Sequence, residues 1–289
     1  MNSIRSRDNQ FFKELVKLAG SARQRNKSNQ TLLDGAHLLA AYLDSGNQPR
    51  HILLNAAALR DDEIAGLLHR ISEKLLMEPL AIRLGEQATL AKSLVMAGHP
   101  KDVLITQLDD KLFAEISELK SPSGIIALID LPQPAGAIVD SNFPLLLEDI
   151  QDPGNLGSML RSAAAAGCDA VFLSRGCADA WSPKVLRAAM GGHFTLRIYE
   201  RQDLPDVAKT FRGTLLATSL HATHSLYDCD LRGNVAFLIG NEGAGLSAEL
   251  LKIATQKIYI PMPGKIESLN AAAATAICLF EAVRQRRRL

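Results

Sequence analysis

Apolar residues recur at two spacings along this chain, and the two alternate. Phe12, Leu15, Val16 and Leu18 lie at helical intervals and predict a helix over Asn9–Ala19. The stretch Ser21–Gln30 is polar and basic, has no such period, and reads as a connector. Short apolar runs follow at Thr31–Leu33 and His51–Leu54, with helical spacing over Gly35–Leu43 and Leu59–Leu68. A strand at Val103–Thr106, a helix at Lys111–Leu119 and a strand at Gly124–Ile129 complete a small α/β domain.

The rhythm breaks at Leu131–Asn142, which holds two prolines and a glycine and has no period. Beyond it, strands are expected at Leu145–Ile150, Ala170–Leu173, Thr195–Ile198, Thr214–Thr218, Val235–Ile239 and Lys257–Ile260. Helices are expected at Leu156–Gly167, Pro183–Met190, Leu204–Phe211, Leu246–Ile253 and Leu269–Arg286. The continuously apolar strands suit a mostly parallel sheet covered on both faces. The expected division is therefore a first domain over 1–130, a linker over 131–142 and a second domain over 143–289.

Composition narrows the picture a little. The 289 residues are 47% hydrophobic and 5% aromatic, enough for a real core, and no apolar run is long enough to span a bilayer. Met1–Asp8 has no apolar segment of the signal-peptide kind, so a cytoplasmic protein is expected. Cys168, Cys177, Cys229 and Cys278 are scattered without metal-site spacing and read as small buried hydrophobes. His221 and His224 have no second pair to join and read as loop residues rather than zinc ligands. A net charge of +1 is uninformative, but residues 1–30 hold seven basic side chains against Asp8 and Glu14, and the last six residues hold four arginines. Either end suits phosphate contacts or a solvated face.

Candidate chemistry sits at three junctions, each a strand, a polar loop and a helix. They are Asp149–Gly157, Leu238–Leu246 and Ile260–Asn270. Three such junctions in one α/β region are the pattern of a site at the carboxyl ends of parallel strands. Pro261 and Pro263 stiffen the last loop, and Ser268 and Asn270 stand where a helix begins, as caps or as ligand-facing groups.

The three junctions closely resemble the signature motifs of the SpoU (TrmH) family of RNA 2′-O-ribose methyltransferases. The first is Asp152-Pro-Gly-Asn155-x-Gly157-x-x-x-Arg161. The second is Phe237-Leu-Ile-Gly-Asn-Glu-Gly-Ala-Gly245. The third is Ile260-Pro-Met-x-Gly264-x-x-x-Ser268-Leu-Asn270. Their order and spacing agree over roughly residues 143–284. The front of the chain, with Leu33-Asp34-Gly35 and the Ser121-Pro-Ser-Gly-Ile-Ile-Ala run, more weakly resembles the small L30e-like substrate-binding domain that often precedes this catalytic domain. The family commonly has Glu where Asp34 stands.

The resemblance implies a SPOUT-type α/β domain closed by a trefoil knot, S-adenosylmethionine as methyl donor, and a homodimer. No metal is required, because the donor is already activated. Gly240, Ile260 and Leu269 match positions that touch the donor, and Asn241, Gly243, Gly245, Met262 and Gly264 line the same loops. Arg161 matches the arginine proposed to act on the 2′-hydroxyl. A guanidinium is effectively always protonated, so stabilising a developing alkoxide or orienting a phosphate suits it better than acting as a base. Asn155, Glu242, Ser268 and Asn270 are the other candidates around the reacting hydroxyl, although caps and a plain loop acid also account for them. Arg23, Arg25 and Lys27 are candidate RNA phosphate contacts. The expected substrate is ribosomal RNA, with transfer RNA or a catalytically silent RNA-binding role as alternatives. A nucleotide-binding dehydrogenase fits poorly, since Gly240-x-x-Gly243-x-Gly245 is not the GxGxxG turn.

Overall fold

The computed structural model describes residues 2–75, 103–119, 122–134 and 141–287. The chain forms two compact units, Met1–Pro132 with Trp181–Arg187, and Gln133–Ala180 with Ala188–Leu289.

The first unit contains β1 (Asn2–Ile4), α1 (Gln10–Gly20), α2 (Ala22–Ser28), β2 (Gln30–Asp34), α3 (Ala36–Asp44), β3 (His51–Leu54), α4 (Asp62–Leu75), β4 (Leu104–Leu108), α5 (Asp110–Ile116) and β5 (Ile125–Asp130). Its sheet runs β1-β4-β3-β5-β2, with β5 antiparallel to its two neighbours and the other pairs parallel. Helix α1 buries Phe12, Leu15 and Leu18, the face its spacing predicts, among Leu53, Leu108, Leu112 and Phe113. Each such buried side chain contributes about 1.5–3 kcal/mol. Asp34 accepts hydrogen bonds at Oδ2 from Ser117 Oγ at 2.7 Å and Glu118 N at 2.9 Å. Burial pushes its carboxyl above the ordinary range despite those bonds.

Two elements here have no apolar signature. The connector expected over Ser21–Gln30 is mostly helix α2. Ser21 Oγ accepts from Gln24 N at 3.3 Å at its start, and Asn29 ends it in the left-handed conformation at φ +55°. Arg25 is its one buried residue, so no hydrophobic period announces it. Strand β1 is three residues long and is held by parallel pairing with β4. Ser121 of the expected closing run, the middle of the linker (135–140), and Arg288 and Leu289 lie outside the described residues.

The second unit contains β6 (Pro144–Leu147), α6 (Pro153–Ala166), β7 (Ala170–Ser174), β8 (Arg197–Gln202), α8 (Leu204–Thr210), β9 (Thr214–Thr218), β10 (His224–Ser225), β11 (Val235–Ile239), α9 (Ala248–Ile253), β12 (Gln256–Tyr259) and α10 (Ala271–Arg286). Helix α7 (Pro183–Ala189) falls between β7 and β8 in the chain. The sheet runs β10-β12-β9-β11-β6-β7-β8 and every pair is parallel. This is the α/β fold with a mostly parallel sheet that the continuously apolar strands predict. Leu146, Phe172, Ala236 and Leu238 pack under Leu204, Val207 and Leu250 of the covering helices. The chain winds outward from β6 to β7 and β8, then crosses to β9 and places β11 beside β6. The winding therefore reverses at the β6–β11 boundary, where open α/β sheets place their ligands.

The basic end of α10 is bound to its own unit. Arg284 pairs with Glu281 at 2.6 Å. Arg286 donates to Leu231 O at 3.0 Å and Gly233 O at 2.8 Å, and its guanidinium lies 3.9 Å from the Phe143 ring centroid. These contacts favour the structural reading of Arg284 and Arg286 over phosphate binding. The four cysteines are free thiols, and burial pushes Cys278 up to about 12.

Candidate active site

Three loops leave the carboxyl ends of β6, β11 and β12. The first begins with Glu148, whose N–H donates to Ile239 O at 2.9 Å and so laces it to the end of β11. Its carboxylate Oε2 accepts from Ser247 N at 2.6 Å, at the cap of α9. Asp149 then turns the chain at φ +54°. Asp152 caps α6 by accepting from Asn155 N at 2.7 Å, and Pro153 follows with its φ already suited to a helix start.

The second loop folds back on itself at Gly240, where an added Cβ would lie 2.3 Å from Gly245 C, so only glycine fits. Gly245 N donates to Asn241 O at 2.9 Å, with Gly245 at φ +69°. Asn241 braces the turn from inside: its Oδ1 accepts from Gly243 N at 2.8 Å and Ala244 N at 3.0 Å. Its Nδ2 donates to Asp149 O at 2.9 Å, tying the second loop to the first.

The third loop ends at Asn270, which caps α10. Its Oδ1 accepts from Ala272 N at 2.9 Å and Ala273 N at 3.2 Å. With that oxygen committed, its Nδ2 is the donor to Asn155 Oδ1, at 2.9 Å. Asn155 must then present its own Nδ2 as donor, and the acceptor is Glu242 Oε1 at 2.5 Å. A single directed chain, Asn270 to Asn155 to Glu242, thus joins all three loops. The helix cap sets its direction, and a carboxylate is the acceptor it requires.

Asn155, Glu242 and Asn270 are therefore brought together. Asn155 is not the cap of α6, since Asp152 holds that place. Arg161 is exposed further along α6, about 9 Å beyond Asn155 at the rise of a helix. It makes no hydrogen bond or ion pair among the described residues and stays outside the chain of contacts. Ser268 is exposed, and the capping role falls to Asn270 instead. Ile260, Met262 and Leu269 are half-buried, leaving an apolar edge within reach of solvent. Gly243, Gly245 and Gly264 are exposed, and nothing lies within 4 Å of a Cβ built on Gly245 or Gly264.

Glu148, Asp149 and Ser247 also hold the loops; Glu148 and Ser247 lie outside the junctions read from sequence, and Asp149 opens the first junction but had no role assigned to it. An Asp-Pro step marks a helix start in sequence, but a left-handed aspartate leaves no such mark. Arg25 needs correction. It is 4% exposed, and its Nη1 donates to Leu18 O at 2.5 Å and Ala19 O at 3.0 Å at the end of α1, so it is not free for phosphate. Arg23 and Lys27 are exposed on the same helix. His193 is buried, with Nε2 2.7 Å from Ala180 O, and burial pushes its pKa down to about 4.

Comparison with known proteins gives three findings. The SpoU rRNA methylase family pattern matches residues 142–280. A Bacillus subtilis protein named 23S rRNA (guanosine(2553)-2′-O)-methyltransferase RlmP is 32% identical over 283 residues, covering 97% of this chain and 98% of that protein. A Synechocystis protein named an uncharacterized tRNA/rRNA methyltransferase is 32% identical over 291 residues, covering 98% of this chain and 94% of that one. Among solved structures, one titled RNA 2′-O ribose methyltransferase superposes with a TM-score of 0.75 at 28% identity, covering 99% of both chains.

Proposed function

Since the chain belongs to the SpoU rRNA methylase family, we propose that it transfers a methyl group from S-adenosylmethionine to a ribose 2′-hydroxyl of ribosomal RNA. The observation that carries this is the hydrogen-bond chain from Asn270 through Asn155 to Glu242, which gathers the three family motifs at the reversal point of a parallel sheet. The whole-length relative named for 23S rRNA favours ribosomal over transfer RNA.

The residues present fit such a donor. Ile260, Met262 and Leu269 supply apolar contact for an adenosine. Open space beside Gly245 and Gly264 lets a bound donor approach the backbone closely there. Bound there, S-adenosylmethionine supplies an activated methyl group, so the protein's own task is to orient the hydroxyl and handle its proton. Arg161, a permanent cation, stabilises negative charge developing on the ribose oxygen or fixes the adjoining phosphate. Glu242, whose carboxylate Asn155 orients, is the acceptor we assign to the hydroxyl proton. Ser268 and Asn270 frame the same opening from the third loop.

The first unit is proposed as the RNA-binding domain, with the exposed Arg23 and Lys27 as phosphate contacts. A trefoil knot, a homodimer through the carboxyl-terminal domain and a cytoplasmic location belong to the same proposal. Sedimentation equilibrium tests the dimer. For the chemistry, the decisive variant is Arg161→Ala. It should bind S-adenosylmethionine within about two-fold of wild type, since an exposed side chain without partners contributes little to loop order, yet transfer no methyl group. Near-normal transfer by this variant removes Arg161 from the reaction.

A further inference from the structure

Asp149 is a non-glycine residue at φ +54°, a backbone that L side chains rarely adopt without support. The support comes from the end of β7, outside the three motif loops. Ser174 Oγ donates to Asp149 Oδ1 at 2.6 Å and accepts from Asp149 N at 2.9 Å. It also accepts from Gly176 N at 3.3 Å and lies 3.7 Å from Cys177 Sγ. Gly176 forms the floor of this seat. A Cβ there would fall 2.1 Å from Asp149 Oδ1 and 2.5 Å from its Cγ, so the carboxylate lies directly over the glycine. The same two loops are joined by Ala178 N donating to Ile150 O at 2.8 Å.

The grip reaches the site through the Asp149 carbonyl, which accepts from Asn241 Nδ2 at 2.9 Å. The other end of that amide holds Gly243 N and Ala244 N. Relaxing residue 149 towards an ordinary backbone turns its carbonyl away and frees Asn241. We infer that Asp149, seated by Ser174 and Gly176, is a positioning residue that sets the loop 240–245 for the methyl donor. The inference rests on the methyl-transfer reading above and adds a fourth loop, 174–178, to the machinery.

The test is calorimetric titration of S-adenosylmethionine into the full chain and its variants, with thermal melts alongside. Asp149→Ala should bind about ten-fold more weakly, the conversion of a left-handed backbone left without support. Asp149→Asn should bind close to wild type, since asparagine tolerates this backbone and its Oδ1 still accepts from Ser174. Gly176→Ala should weaken binding by about as much as Asp149→Ala, because the new methyl group displaces the carboxylate. In an Asp149→Gly background, where no carboxylate is present to displace, Gly176→Ala should cost nothing further. A glycine needed only for local folding would carry its loss into either background. Wild-type affinity in Asp149→Ala, or an equal loss from Gly176→Ala in both backgrounds, overturns the inference. If Gly176→Ala does not fold, the contrast between Asp149→Ala and Asp149→Asn decides. Failure of the wild-type chain to bind the donor removes the methyl-transfer reading itself, and this inference with it.

Discussion

The bond between Asn155 and Glu242 is the point at which the site can be taken apart most cleanly. Asn155→Ala removes a 2.5 Å donation to a carboxylate and a 2.9 Å acceptance from Asn270. A hydrogen bond to a charged group is worth about 1.5–3 kcal/mol, and one between neutral groups about 0.5–1.5 kcal/mol. Both bonds are open to water, so the lower end of each range applies, giving about 2 kcal/mol for Asn155→Ala and about 1.5 kcal/mol for Glu242→Ala. The second substitution has nothing left to break once the first is made. The double variant should therefore cost about 2 kcal/mol rather than the sum, a coupling of about 1.5 kcal/mol. Urea unfolding followed by circular dichroism measures it, with an unchanged denaturant slope as the check that only stability moved. Additive single effects, with coupling below about 0.5 kcal/mol, refute the Asn155–Glu242 contact and with it the directed chain from Asn270 to Glu242.

Other expectations follow from single residues. Arg25→Ala removes two donations to the carbonyls that end α1 and should destabilise the chain by about 3 kcal/mol in urea unfolding, whereas a surface arginine would cost under about 0.5 kcal/mol. Replacing the exposed Arg23 and Lys27 with Glu should leave unfolding unchanged while weakening RNA binding and flattening its salt dependence; an unaltered salt slope removes α2 from the RNA surface. His193 is held at about 4 against an ordinary 6.5, so its contribution to stability is complete above pH 6.5 and is lost as pH falls towards 4. That loss is of order 3 kcal/mol, and His193→Gln should reduce the slope of the stability–pH curve across this window, leaving the part owed to His51, which burial also pushes down to about 4. A curve with the same slope in the variant places the titration elsewhere.

The second unit was legible because its central strands β6, β7, β9 and β11 are largely apolar and its loops carry Gly, Pro and Asn at fixed spacing. Val235–Ile239 and Thr214–Thr218 begin and end where their patterns do. The first unit was legible wherever a helix has an apolar face, as over Phe12, Leu15 and Leu18. Helix α2 was not, because capping by Ser21 and Asn29 makes it rather than burial, and its one buried residue is an arginine. That arginine also explains the misplaced phosphate contact: charge is visible in sequence, but the carbonyls that claim it are not. Strands β1 and β10 are too short to show a period and exist only through their neighbours. Within the site, the identities of Asn155, Glu242 and Asn270 could be read from their motifs. Their bonding order could not, since it follows from which oxygen the α10 cap consumes. The Asp149 seat was hidden for a similar reason, because a backbone angle and a serine twenty-five positions away have no local signature.

Methyl transfer to a ribose hydroxyl leaves its mark on the linkage itself. Purified protein is incubated with labelled S-adenosylmethionine and, separately, unmodified ribosomal RNA, ribosomal subunits and transfer RNA, and each RNA is then hydrolysed in alkali. A 2′-O-methyl group blocks cleavage at its own linkage. Label in alkali-resistant dinucleotides from ribosomal RNA or subunits is the result predicted here. Label released in mononucleotides would place the methyl group on a base, and label from transfer RNA alone would move the substrate; either rules out ribose methylation of ribosomal RNA.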